Sequence, residues 1–269
     1  MIPLRDDNPT ELRPYITLSI MVACVLVFLY QVTLTGQAGQ RFVMGFGFIP
    51  VRLLGDAGVP VRAAGLPAAL TLLTSMFLHG GWMHLIGNML CLWIFGNNIE
   101  DALGRVRFVA FYLACGLAAA LAQGYADPSS AVPMIGASGA IAGVLGAYLL
   151  PYPRAQVLVL IPLGFFTQLV RIPAMAVLGF WFILQFVEQA MTAPADSGQG
   201  GVAYWAHIGG FVAGAILILF LRRRGVGLLH PAQPGNSAAH FERLPRYPRS
   251  GGSRIPDSGG RMGRRGPWE

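Results

Sequence analysis

The 269-residue sequence contains no lysine, and charged residues of all kinds make up only 12% of it. Soluble domains carry about twice that share of charged residues, so the composition argues against an ordinary soluble protein. Apolar residues make up 54% of the chain and are grouped into long runs. Because about 20 consecutive apolar residues can cross a bilayer as a helix, the sequence predicts a membrane protein with several spans.

Metal-binding patterns are also missing. No H-E-x-x-H motif occurs, and the three cysteines lie inside apolar runs at spacings that match no metal site (Cys24, Cys91, Cys115). The acids Glu100, Asp101 and Glu188 lie near the ends of predicted helices, which leaves a zinc peptidase or an aspartyl intramembrane protease without ligands or a catalytic dyad. We therefore expect neither a metal nor a cofactor.

The net charge of +7 is confined to one end of the chain. Residues 222–269 contain ten arginines and three acids, whereas the remaining residues contain nine of each. This end is also rich in Gly, Pro and Ser, a composition that is typical of disordered segments. We predict that residues 223–269 form a disordered basic tail close to anionic lipid headgroups. No fold signal indicates nucleic-acid binding.

Six apolar segments are candidates for membrane-spanning helices. They cover about residues 15–35, 82–101, 107–125, 136–151, 172–191 and 202–221. Residues 155–166 are apolar but too short to span, and we expect them at the interface or against the helices. The sequence thus predicts an all-α bundle over residues 15–222, preceded by a cytoplasmic segment at 1–14.

Arginine placement gives the orientation, because basic residues concentrate on the cytoplasmic side of a membrane. With a cytoplasmic N-terminus, the inner segments carry most of the arginines outside the tail (Arg5, Arg13, Arg105, Arg107, Arg154, Arg171) together with Arg222–Arg224. The outer segments carry only Arg41, Arg52 and Arg62, all in the loop at 36–81. Both termini are therefore predicted to be cytoplasmic.

Four polar residues interrupt the apolar segments at one common depth. Asn88 lies 13 residues before Asp101, Ser138 lies 13 before Pro151, and His207 lies 14 before Leu221. Each count corresponds to about 20 Å above the cytoplasmic surface. His84 lies one helical turn from Asn88 and on the same face. Since polar groups inside a membrane are costly, their shared depth indicates one functional site.

Small residues on two segments allow the site to assemble. Gly139 and Gly143 have GxxxG spacing in the fourth segment, and Gly210 and Gly214 have it in the sixth. Such faces permit close backbone approach. A serine hydroxyl becomes a nucleophile when an imidazole lies within hydrogen-bond distance. Close packing of these two segments would bring Ser138 to His207.

Three sequence motifs resemble those of the rhomboids, a family of intramembrane serine proteases. "HGGWMHLIGN" is similar to the family's His-x4-His-x3-Asn, "GASG" to its Gly-x-Ser-Gly, and "AHIGGFVAG" to its Ala-His-x2-Gly-x3-Gly. Their order and the six predicted spans agree with that family over about residues 10–222. The resemblance implies an endopeptidase whose partners are membrane-protein substrates and the lipid bilayer.

The resemblance also implies a role for each matching residue. Ser138 would be the nucleophile and His207 the general base, while His84 and Asn88 would line the oxyanion hole with the Ser138 backbone N–H. The supporting residues would be His79, Glu100, Gly136, Gly139 and Gly210. Two features of some rhomboids are missing: the position of a tyrosine that stacks on the histidine is Ala142, and the Trp-Arg pair of the first outer loop is absent.

Two other readings of the sequence remain open. A catalytically silent rhomboid-like protein would bind membrane helices without cleaving them, and a small transporter would use the buried histidines but leave the serine unexplained. The short acidic N-terminal segment and the simple six-span core favour the bacterial cell membrane as the location. The sequence does not specify a substrate or an oligomeric state.

Overall fold

The computed structural model describes residues 2–55, 65–163, 166–191 and 203–230. In chain order its helices are α1 (Tyr15–Thr33), α2 (Gly36–Phe46), α3 (Pro50–Leu53), α4 (Ala68–Thr74), α5 (Trp82–Cys91), α6 (Asn97–Leu103), α7 (Arg105–Ala126), α8 (Ser138–Leu149), α9 (Ala174–Met191) and α10 (Tyr204–Leu221). A 3-10 turn at Ser75–Phe77 follows α4, and a π-helical segment at Leu92–Gly96 joins α5 to α6 as one continuous helix.

A helix lies in each of the six segments that the sequence predicts to span the membrane. Within the described residues, three of these helices (α1, α7, α10) are long and apolar enough to cross a bilayer. A fourth span is added if Ala68–Phe77 and Trp82–Leu103, which are bent by 82° at their junction, count as one. The mostly helical membrane fold is therefore confirmed, and the count of six spans stays a prediction.

The prediction of an all-α fold is wrong, because a three-stranded antiparallel sheet accompanies the helices. Its strands are β1 (Ile2–Asp6), β2 (Gln156–Leu163) and β3 (Phe166–Pro173), in the order β1-β2-β3. Ile2 lies opposite Leu160 in the first pair, and Gln156 lies opposite Pro173 in the second. β-branched residues favour strands, and Val157 and Val159 of β2 turn their buried side chains towards the helical core. Within the short apolar run at 155–166, residues 156–163 thus pack against the helices as strand β2.

The N-terminal segment is part of the fold rather than a separate piece at 1–14. The Asp6 carboxyl accepts hydrogen bonds from the Tyr148 hydroxyl at 2.6 Å and from the Asn98 amide at 2.5 Å. Burial raises the pKa of Asp6, and these two hydrogen bonds act in the opposite direction. The Asp7 carboxyl accepts from the Gln156 backbone N–H at 2.7 Å. Asp6 therefore attaches β1 to α8 and α6, and Asp7 attaches it to β2.

The predicted start of a disordered tail at residue 223 is also wrong for the first eight residues. Residues 223–230 contact the body through an ion pair between Arg223 and Asp101 at 2.7 Å, and through backbone N–H groups of Leu229 and His230 that donate to the carbonyls of Leu150 and Pro151. The carbonyl groups at the end of a helix have no partner within it, so this stretch satisfies two of those that follow α8. The remainder of the predicted tail, 231–269, lies outside the described residues.

Helix α8 is almost entirely buried and packs against both α10 and α7, which also pack against each other. A Cβ atom added to Gly210 would collide with the Gly139 carbonyl oxygen, and one added to Gly214 would collide with that of Gly143. On the other side, a Cβ on Gly139 would lie 2.5 Å from the Ala119 side chain of α7. The small residues singled out in the sequence therefore form the closest helix contact at this level of the bundle.

Glu100 joins α6 to the start of α1. Its fully buried carboxylate accepts hydrogen bonds from the backbone N–H groups of Ile16 and Thr17, at 3.0 and 2.8 Å, and from the Thr17 hydroxyl at 2.8 Å. The first N–H groups of a helix have no partner within it, so Glu100 satisfies two of those of α1. Gly104, which follows α6, has a φ of +79°, a conformation that favours glycine.

Replacing Glu100 with glutamine is expected to lower the free energy of unfolding by about 1–3 kcal/mol, because one acceptor oxygen becomes a donor that faces another donor. Unfolding in detergent, followed by circular dichroism, measures the change. Glu11→Gln is the control, since the Glu11 side chain is exposed and its substitution should leave the transition in place. Equal stabilities of the Glu100→Gln and Glu11→Gln variants would contradict this role.

Candidate active site

Ser138 and His207 meet where α8 and α10 come closest. The Ser138 hydroxyl oxygen lies 2.8 Å from Nε2 of His207. Ser138 is the first residue of α8 and is half-buried, whereas His207 is only 9% exposed. Gly139 directly follows Ser138, and Gly210 lies three residues after His207. The close packing of these two glycines therefore sets the distance between the serine and histidine side chains.

The backbone before Ser138 can be formed only with glycine. Gly136 has a φ of +129°, a conformation that residues with a side chain rarely adopt. Its N–H donates to the Ser75 carbonyl at 2.9 Å. A Cβ at this position would also lie 2.7 Å from Nε2 of His84 and 3.6 Å from the Ser138 hydroxyl. The His84 ring and the serine therefore border the same small space.

His84 borders this space from α5, and Asn88 lies one turn further along the same face of that helix. Nδ1 of His84 accepts a hydrogen bond from the Gly80 backbone N–H at 3.3 Å. With Nδ1 as the acceptor, the neutral ring carries its hydrogen on Nε2, the nitrogen near Gly136. Asn88 is 8% exposed, and its Nδ2 has no hydrogen-bond partner among the described residues. An unpaired buried donor costs free energy, and its presence therefore calls for an explanation such as a functional role.

His79 lies beside the site but is held by structural contacts. Its backbone N–H donates to Oε1 of Gln31 at 3.0 Å, and the Gln31 amide donates to its carbonyl at 3.2 Å. Its ring packs edge-on against that of His84, with 5.2 Å between centroids. These contacts attach the turn before α5 to the end of α1, which fits the supporting role implied by the resemblance.

Sequence reasoning missed the contribution of α9. Oε1 of Gln185 lies 2.6 Å from Nδ1 of His207, and Gln185 is only 5% exposed. Trp181, one turn earlier, places its ring 5.6 Å from the His207 ring at a 42° tilt. This tryptophan gives the His207 ring an aromatic neighbour, although position 142 is alanine. The His207 ring therefore has contacts from both α8 and α9.

A signal for Gln185 was present in the sequence. Gln185 lies 13 residues from the start of the predicted segment 172–191, which corresponds to about 20 Å above the cytoplasmic surface. That is the depth of Ser138, Asn88 and His207. The same comparison of depths, extended to the fifth segment, would have included it.

Among the residues that the structure describes, no three His, Cys, Asp or Glu side chains come together in a way that could hold a metal ion. The groups that do come together are the Ser138 hydroxyl, the imidazoles of His207 and His84, and the Gln185 amide. This set combines one nucleophile, one base and several hydrogen-bond donors, which are the components of serine acyl transfer.

A family model described as the Rhomboid domain matches residues 67–224. This match covers more than half of the chain and includes every residue of the site. The fold and the site define a membrane protein with a serine–histidine pair between packed helices. By the family match, the chain belongs to the rhomboids. The family resemblance seen in the three motifs is confirmed.

Named relatives come from several membranes. The rhomboid protease GluP of Bacillus subtilis is 37% identical over 147 residues, which are 54% of this chain and 25% of the relative. The mitochondrial rhomboid protein 1 of Saccharomyces cerevisiae is 28% identical over 151 residues, 55% of this chain and 40% of the relative. The chloroplastic rhomboid-like protein 11 of Arabidopsis thaliana is 29% identical over 164 residues, which are 58% of this chain and 54% of the relative.

The chain spans only about a quarter to a half of the length of these three relatives. Family membership and multi-pass membrane insertion follow from the match and from the apolar helices. Because the relatives include bacterial, mitochondrial and chloroplast proteins, they do not indicate which membrane holds this chain.

Proposed function

We propose that this protein is an intramembrane serine endopeptidase that cleaves transmembrane or membrane-anchored proteins with a Ser138–His207 dyad. One observation carries the proposal, the 2.8 Å approach of the Ser138 hydroxyl to Nε2 of His207. A serine that only packed between helices would need no imidazole within hydrogen-bond distance. The two residues lie 69 positions apart in sequence, so the fold and not the local chain brings them together.

The arrangement supports a two-stage reaction. Ser138 Oγ attacks the carbonyl carbon of the scissile peptide bond while its proton passes to Nε2 of His207. The tetrahedral intermediate then breaks its C–N bond, and His207 returns the proton to the departing amine. Water attacks the resulting ester of Ser138, with His207 again accepting and then returning a proton, which releases the second product and restores the hydroxyl.

His84 and Asn88 are proposed to stabilise the oxyanion. The Nε2–H of His84 borders the space next to Ser138, and the Asn88 Nδ2 has no other partner among the described residues. Ser138 is the first residue of α8, where free backbone N–H groups and the helix dipole favour negative charge. These donors would surround the oxygen on which charge develops.

The membrane arrangement completes the proposal. Six spans with both termini in the cytoplasm would place the dyad about 20 Å from the cytoplasmic surface, and so about 10 Å below the outer surface of a core about 30 Å thick. Cleavage would then occur near the outer leaflet. The protease domain would extend over residues 15–222, with β1 and residues 223–230 attached to its inner end. The bacterial cell membrane remains the predicted location.

Labelling with a fluorophosphonate tests the proposal directly, because this reagent phosphonylates only an activated serine. We expect the purified wild-type protein to be labelled at Ser138, and the label to disappear in Ser138→Ala and in His207→Ala. Ser19→Ala is the matched control, since Ser19 is an exposed serine of α1 that bonds only to its own helix. A folded wild-type protein that stays unlabelled would favour the silent, helix-binding alternative.

A further inference from the structure

We infer that Gln185 is a positioning residue that fixes the tautomer and the orientation of His207. This inference rests on the proposed function, because it assigns a third member to the Ser138–His207 pair. Gln185 comes from α9, a helix that contributes none of the residues matched by the family motifs. The observation that carries it is the 2.6 Å contact between Oε1 of Gln185 and Nδ1 of His207.

The direction of this hydrogen bond follows from the other end of the Gln185 amide. Its Nε2 donates to the backbone carbonyl of Trp181 at 3.3 Å. Turning the amide over would place its oxygen against that carbonyl oxygen, so that two acceptors would face each other. The carbonyl of Trp181 therefore keeps Oε1 directed towards His207.

An amide oxygen can only accept a hydrogen bond, so the hydrogen on this side must belong to the histidine. Nδ1 of His207 then carries the hydrogen and Nε2 has the free lone pair. This is the tautomer that can accept the proton of the Ser138 hydroxyl at 2.8 Å. With the opposite tautomer, Nε2–H would face the hydroxyl and could not act as its base.

The environment makes this partner necessary. Gln185 is 5% exposed and His207 is 9% exposed, so the hydrogen on Nδ1 of His207 needs a partner from the protein. The ring contact from Trp181 supports the imidazole but does not discriminate between its two nitrogens. In the proteases with a Ser-His-Asp triad a carboxylate makes this discrimination; here a neutral amide would do so without introducing a charge at this depth.

Substitutions at position 185 test the inference through turnover. Gln185→Leu and Gln185→Met remove the acceptor oxygen, whereas Gln185→Glu retains an acceptor of the same length. Partners that orient a histidine through its second nitrogen typically contribute about 10–100-fold. We expect Gln185→Leu and Gln185→Met to lower kcat for a cleavable single-span substrate by about that factor, with KM changed by less than about twofold. Gln185→Glu should retain most of the wild-type kcat.

The control for lost stability is Tyr148→Phe, which deletes a buried hydrogen bond to Asp6 at a distance from the site. We expect this variant to shift the thermal transition but to leave kcat unchanged. A Gln185→Leu variant with wild-type kcat would overturn the inference. The inference would also be overturned by a loss of kcat that follows the fall in the thermal transition and is equal in Gln185→Leu and Gln185→Glu.

A second measurement does not depend on turnover. In protein labelled with ¹⁵N-histidine, the His207 resonances, identified by their loss in His207→Ala, report which ring nitrogen carries the hydrogen. We expect Nδ1–H in the wild-type protein and a mixture of tautomers in Gln185→Leu. A hydrogen on Nε2 in the wild type would refute the inference. If the wild type cleaves nothing, the proposed function fails, while the tautomer still decides the role of Gln185.

Discussion

Replacing Ser138 with alanine is expected to lower the cleavage rate by about 10⁴-fold or more, the range seen when the nucleophile of a serine protease is removed. The change deletes only the hydroxyl oxygen, and alanine fits the start of a buried helix without strain. The fold should therefore be retained. Cleavage of a reporter protein with one helix-breaking membrane span, measured in proteoliposomes, gives the rate.

His207→Ala should cause a comparable loss, and the double variant should be no slower than either single variant. Nucleophile and base act as a unit, so removal of the second costs little once the first is gone. Ser19→Ala should cleave at the wild-type rate. Multiplicative losses in the double variant would show that the two residues act independently and would contradict the dyad.

The assembly of the dyad could be predicted from sequence because two independent patterns agreed. The distances of Asn88, Ser138 and His207 from their helix ends placed them at one depth, and the glycine spacing of the fourth and sixth segments indicated which helices pack. The structure places Gly210 against Gly139 and Ser138 2.8 Å from His207. Depth and packing of helices are governed by regular geometry, which a sequence carries in its spacing.

Gln185 was missed because glutamine has no strong association with catalysis. The fifth segment is an apolar helix with two amides, Gln185 and Gln189, and amides are ordinary in a helix. What gives Gln185 its significance is its orientation, which depends on the Trp181 carbonyl at one end and the His207 ring at the other. Only the packed structure shows that these contacts occur together.

The three-stranded sheet and the packing of residues 223–230 could not be predicted from the sequence, for a different reason. β1 pairs with β2 across more than 150 residues of sequence, and strand pairing of this range leaves no local periodicity for residues 2–6. Leu229 and His230 contact the body through backbone N–H groups, which every residue other than proline possesses. Composition therefore indicated disorder from residue 223 onwards. The carbonyls of Leu150 and Pro151, which follow α8, were nevertheless available to bind the first residues of this stretch.

The oxyanion site gives the last and most selective expectation. Asn88→Ala should lower kcat by about 10²–10³-fold, the usual cost of one oxyanion donor, and should change KM little because the donor acts on charge that appears only in the transition state. The Nδ2 group has no hydrogen-bond partner among the described residues to lose, so stability should fall little. Cleavage kinetics and thermal unfolding of the same preparation separate the two effects.

Asn98→Ala provides the matched comparison on the same continuous helix. Asn98 is also buried, but its amide is bonded to Asp6 at the inner end of the bundle. Its removal should lower the thermal transition and leave kcat unchanged, which is the reverse of the expectation for Asn88. If Asn88→Ala instead behaves like Asn98→Ala, its unpartnered amide is not directed at the reacting carbonyl. Stabilisation of the oxyanion would then rest on His84 and the N–H groups at the start of α8.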